Sequence, residues 1–118
     1  MAKGGSEHRR AQELIRDFYK RKNKVVIIEG FMGKHIDVLI IDAHAKKRII
    51  AIEFQRSRVN AVRNAFLACR VSDEVIFVSS SQRVLDDIKL DVEKVLSNEQ
   101  YSKLRYRLLE DFIPQNWK

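Results

Sequence analysis

A disulfide scaffold and a cysteine-based zinc finger are both excluded at the outset, because the 118 residues contain one cysteine, Cys69. Proline is almost absent and glycine is scarce, one and four residues respectively, which excludes a linker or a collagen-like chain. No apolar run approaches the roughly 18 residues that a membrane span needs. Residues 1–10 are basic and polar and lack the apolar stretch of a secretory signal. The expectation is therefore a soluble, intracellular protein of the cytoplasm or nucleoid. No P-loop, dinucleotide fingerprint or Ser-His-Asp arrangement occurs.

What is present is a hydrophobic fraction of 45%, too high for intrinsic disorder, in a length that suits one domain spanning residues 1–118. The 23 basic residues outnumber the 16 acidic ones, leaving a net charge of +7. Such an excess suggests a polyanionic partner, most simply nucleic acid.

Periodicity orders the chain. Residues 1–5 read as a flexible lead, with Ser6 as a helix cap and Glu7 in the first turn. Glu7, Ala11, Leu14, Ile15 and Phe18 fall near one face of an amphipathic helix over 7–22. Val25–Ile28, His35–Ile41 and Arg48–Phe54 read as three strands, the first two joined by a loop over 29–34 and the next two by a turn over 42–47. Short connections predict an antiparallel meander. Val59, Val62, Ala65, Phe66 and Cys69 then recur at helical spacing over about 58–70. Val75–Ser79 reads as a fourth strand, and Ser80-Ser81-Gln82 starts a third helix with Val84, Leu85, Ile88, Val92, Val95 and Leu96 on its apolar stripe. Tyr101, Leu104, Leu108 and Phe112 predict a further helix over 99–112, ended by Pro114, within a helical tail over 99–118. The expected architecture is α/β: a mixed four-stranded sheet, an antiparallel meander plus one parallel strand, flanked by helices in the order α-β-β-β-α-β-α.

One constellation carries chemistry. If the turn is symmetric about Ala45, Asp37 faces Glu53, Leu39 faces Ala51 and Ile41 faces Ile49. Adjacent strands lie about 4.8 Å apart, so the two carboxylates suit a shared hard cation such as Mg²⁺, with Mn²⁺ as a substitute. Gln55, two residues beyond Glu53, aims to the same face if the strand continues. Lys34, Arg56, Arg58 and Arg63 surround this end of the strands and suit a phosphodiester backbone.

The stretches Gly33-Lys34-His35-Ile36-Asp37-Val38-Leu39-Ile40 and Ile50-Ala51-Ile52-Glu53-Phe54-Gln55 resemble the PD-(D/E)xK nuclease superfamily, in particular small members of the Holliday junction resolvase type. Lys3-Gly4-Gly5, Gln12-Glu13-Leu14-Ile15 and Asp73-Glu74-Val75-Ile76-Phe77-Val78 add to the likeness, which covers about residues 5–80. The resemblance implies a restriction-endonuclease-like fold and a Mg²⁺-dependent endonuclease acting on duplex or branched DNA, with Asp37 and Glu53 as metal ligands. It also implies a glutamate from the first helix. Glu7 shares the apolar face and is favoured on geometry, whereas the local match to Glu-Leu-Ile prefers Glu13. Gln55 replaces the motif lysine, as in some restriction-type members, and would position water or phosphate. Ile36 replaces the usual proline. Junction specificity would need two sites at fixed geometry, hence a homodimer.

Plainer readings stand beside these. Asp37 can simply begin a strand, and Glu53 can pair with an arginine, although a carboxylate inside an apolar run costs free energy unless paired or ligating. Read alone, Gln55 suits a structural role better than a catalytic one. His8, His35 and His44 show no zinc spacing and read as surface or loop residues. Cys69 reads as core. The arginines about the second helix suit a solvated face as well as a phosphate rim. Lys103, Arg105 and Arg107 suit nucleic acid, a cover for the sheet or a dimer contact. Trp117 reads as docked on the domain or a partner. Two alternatives to the nuclease are a non-catalytic nucleic-acid-binding module on the same fold and a subunit of a larger DNA-processing complex.

Overall fold

A computed structural model describes residues 5–22, 24–30, 36–42 and 48–113. The chain is an α/β fold, a mixed sheet flanked by helices. The elements run α1 (Gly5–Lys20), β1 (Val25–Gly30), β2 (Ile36–Asp42), β3 (Arg48–Phe54), α2 (Ala61–Val71), β4 (Glu74–Ser79), α3 (Gln82–Glu93), α4 (Asn98–Ser102) and β5 (Leu104–Leu108), then a 3₁₀ turn over Leu109–Phe112. No helix among the described residues is long and apolar enough to cross a membrane.

The sheet has five strands in the order β1-β2-β3-β4-β5. β1–β2 and β2–β3 are antiparallel, as the short connections predict, and β3–β4 and β4–β5 are parallel. The two central parallel strands are buried on both faces, so Ala51 to Phe54 and Val75 to Ser79 form unbroken buried runs. Strict alternation divides them. Leu39, Ala51, Val75 and Phe77 meet α2 and α3 on one face, while Val38, Ile40, Ile52, Ile76 and Val78 meet Ala11 and Ile15 of α1 and Phe112 on the other.

The predicted helix over 99–112 is overturned. Only Asn98–Ser102 is α-helical, capped by Ser97 in a capping box, and Leu109–Phe112 is a single 3₁₀ turn. Leu104, Tyr106 and Leu108 join the α2/α3 face of the sheet, whereas Phe112 is buried against Phe18 and Tyr19 on the α1 face. One helical stripe cannot serve both faces. The open edge of β4 takes up the segment instead, with the Val75 N–H donating to the Lys103 carbonyl at 2.9 Å. Other bounds shift less. α1 already begins at Gly5, so Ser6 lies inside the helix and not at its cap, and β1 extends through Glu29 and Gly30. Pro114 and Trp117 lie outside the described residues.

Candidate active site

The β2–β3 ladder follows the expected register, with Leu39 paired to Ala51 and Ile41 to Ile49, and its last pair is Val38 with Ile52. Asp37 and Glu53 are the residues next beyond that pair, and the expected pairing of the two is not part of the ladder. Here the backbone ladder gives way to a side chain. The Phe54 N–H donates to Asp37 Oδ2 at 2.7 Å. Both carboxylates lie beneath the surface, Asp37 at 6% exposure and Glu53 at 2%. A charge at such depth is costly unless partnered, and Asp37 draws partners from two elements. His8 Nε2 of α1 stands 3.1 Å from Asp37 Oδ1, and Gln12 Nε2 donates to the Asp37 carbonyl at 3.0 Å.

α1 therefore turns a different residue inward from the one expected. Its buried face is His8, Ala11, Gln12 and Ile15. Glu7 is exposed and pairs with Arg56 across 3.4 Å, and Glu13 is exposed too. At 3.6 residues per turn, His8 lies about 20° from the direction of Ile15 and Glu7 about 80°. The signal for His8 was thus in the sequence, in its seven-residue spacing from Ile15. The reading of His8 as a surface residue is corrected: it is buried, its ring edge-on to Phe54 with centroids 5.9 Å apart.

Gln55 continues the parallel ladder through its own N–H to the Val78 carbonyl at 2.8 Å. Its side chain is taken up by the following turn. Nε2 donates to the carbonyls of Ser57 and Val59, at 2.9 and 3.2 Å, and Oε1 accepts from Asn64 at 2.8 Å. The turn needs this help, because Asn60 sits in the left-handed region at φ 65° and gives α2 no side-chain cap. Arg58 leaves the same turn toward α3, forming a two-pronged bond to Asp91 at 2.7 and 2.9 Å with Asp87 at 3.7 Å. That hydrogen bond holds the Asp91 carboxyl below its ordinary range and raises the guanidinium. Arg56 and Arg63 are exposed. Lys34, His35 and His44 lie outside the described residues.

At the carboxyl ends of β3 and β4 a cleft of about 170 Å³ is lined by Glu7, Phe54, Gln55, Arg56 and Ser79–Ser81, and neither Asp37 nor Glu53 is part of its lining. Ser81 caps α3 there by accepting from the Val84 N–H at 3.3 Å.

Among the described residues no three His, Cys, Asp or Glu side chains are grouped so as to hold a metal ion. A closed protein cage is thus not formed, and Glu7, expected as the third ligand, stands at the rim with Arg56. The donor chemistry of Asp37 and Glu53 fits the smaller set a Mg²⁺ ion uses: one or two carboxylates, with waters and substrate phosphate completing the shell. Comparison with family models, with curated proteins and with solved structures gives no match for this chain.

Proposed function

We propose that this protein is a metal-dependent endonuclease of restriction-endonuclease-like design that hydrolyses phosphodiester bonds in DNA. The observation that carries the reading is the burial of two carboxylates, Asp37 and Glu53, each next beyond the last pair of the β2–β3 ladder, Val38 with Ile52. The PD-(D/E)xK resemblance of the same residues points the same way.

Asp37 and Glu53 are the residues that would hold a divalent cation. When bound, such an ion lowers the pKa of a coordinated water and neutralises charge on the phosphate. The chain's own residues orient and bind. The Phe54 amide fixes one oxygen of Asp37. Arg56, on the rim of the cleft, meets the phosphate backbone together with Arg63 and Lys34. Glu7 holds Arg56 at that rim until a phosphate competes for it. Gln55 is assigned the turn and not the chemistry, because both ends of its amide are engaged there. A four-way junction as substrate would require two chains working as a symmetric dimer.

The engagement of Gln55, at the position of the motif lysine, favours one second reading: a nucleic-acid-binding module on this fold that does not cut. Labelled four-way junction, linear duplex and single-stranded DNA, incubated with Mg²⁺ or Mn²⁺, separate the two. The endonuclease gives metal-dependent cleavage that falls at least ~100-fold in Glu53→Gln, a variant of nearly the same shape whose folding is checked by circular dichroism. Binding without cleavage in either metal supports the module. Neither binding nor cleavage removes both.

A further inference from the structure

We infer that His8 is the positioning residue for Asp37, with Gln12 as its second anchor, so that α1 contributes an imidazole and an amide to the site in place of a carboxylate. The inference rests on the endonuclease reading and adds a part to it. Three hydrogen-bonding groups converge on one residue. The Phe54 N–H holds Asp37 Oδ2 at 2.7 Å, His8 Nε2 stands 3.1 Å from Oδ1, and Gln12 Nε2 holds the Asp37 carbonyl at 3.0 Å.

His8 and Gln12 are four residues apart, so one face of α1 presents both. His8, Gln12 and Asp37 are 9%, 4% and 6% exposed, so solvent competes little for these bonds. A strand-end aspartate held only by Phe54 would keep rotational freedom about its side chain. Fixing the second oxygen from α1 removes it. A carboxylate offers about four lone-pair sites, and these two contacts leave others for a cation. Side chains that hold a metal ligand in this way typically contribute 10–100-fold to metal affinity or activity. Glu7, one residue earlier, is left to the rim and to Arg56.

The plainer role for His8 is packing, since its ring also meets Phe54 edge-on. His8→Phe separates the two roles by keeping an aromatic ring and removing the N–H. His8→Gln returns an N–H at the reach of Nε2, and His8→Asn returns one that is too short.

The measurements are Mn²⁺ affinity of the DNA-free protein by calorimetry, hydrogen exchange at the Phe54 amide, and Mn²⁺-dependent cleavage. Positioning predicts that Mn²⁺ affinity falls about tenfold or more in His8→Phe and His8→Asn, and that His8→Gln stays within about threefold of the unaltered protein. Exchange at the Phe54 amide, whose acceptor is Asp37, quickens in the same two variants. Should His8→Phe fail to fold, the Gln and Asn pair decides alone. An unaltered protein that binds Mn²⁺ and cuts, with His8→Phe or His8→Asn matching it, overturns the role of His8 and leaves the endonuclease standing. An unaltered protein that neither binds Mn²⁺ nor cuts overturns both.

Discussion

Gln55 makes three side-chain hydrogen bonds in a turn where Asn60 gives α2 no side-chain cap and Ser57 Oγ accepts one further bond, from the Val59 N–H at 3.2 Å, and that decides what its loss should do. Truncation to alanine leaves the Ser57 and Val59 carbonyls and the Asn64 amide without this partner. Leaving buried or half-buried polar groups unsatisfied costs about 1–3 kcal/mol. Gln55→Ala should therefore lower unfolding stability by roughly that amount in a urea titration, with little change in Mn²⁺ affinity. A catalytic glutamine would show the reverse, loss of cleavage at unchanged stability. The β2–β3 register was legible from sequence because register is arithmetic: a turn centred on Ala45 fixes every pair, and the observed pairs from Val38 with Ile52 to Asp42 with Arg48 follow it. His8 was not read correctly, because a histidine beside a glutamate on an amphipathic helix was weighed by type. Its spacing from Ile15, by contrast, placed it on the buried stripe. Cys69 was legible as core, and its burial pushes the thiol above its ordinary pKa, consistent with an unreactive role.

Elements differ in how much of their identity is local. The meander and the α2 and α3 periodicities were legible because their patterns repeat over several residues within one face. The segment over 104–108 carries both patterns at once: Leu104 and Leu108 fit a helix, and Leu104, Tyr106 and Leu108 fit a strand. What selects the strand is the vacant edge of β4, which local periodicity cannot reveal. As an outer strand, β5 should show alternating hydrogen-exchange protection, every second amide being paired to β4 and its neighbours exchanging quickly. A helix would protect successive amides. The tie from the β3–α2 turn to α3 gives a second prediction. Asp91 is held below its ordinary value of 3.8 chiefly by its hydrogen bond from Arg58. A carboxyl with a depressed native pKa contributes stability that is fully present above its unfolded value and is lost as pH falls through the native one. The Asp91 side-chain carbonyl should thus titrate below 3.8 by NMR and move back toward it in Arg58→Ala.

For the whole molecule the relevant quantity is the net charge of +7 and how much of it is free to meet phosphate. Composition suggests a polyanionic partner but cannot separate cations that face outward from cations engaged within the fold. Arg58 and Arg56 stand two residues apart and are spent differently. Arg58 is gripped by Asp91 with Asp87 nearby, whereas Arg56 makes an exposed pair with Glu7 at the edge of the cleft, its one ion pair among the described residues. Displacing Arg58 would break a two-pronged bond, so phosphate recruits Arg56 first. Each phosphate contact contributes about −0.9 to the slope of log affinity against log salt on duplex DNA. Contacts from Lys34, Arg56 and Arg63 together imply a slope near −2.7, roughly a 40-fold loss of affinity between 50 and 200 mM salt. Arg56→Ala should make the slope shallower by about 0.9, and Arg58→Ala should leave it unchanged while loosening the turn. Anisotropy titrations on one duplex across that salt range test both. A shallower slope in Arg58→Ala with none in Arg56→Ala would move the phosphate-binding face from the cleft at the ends of β3 and β4 toward α3, and an active site at Asp37 and Glu53 would lose its proposed substrate contact.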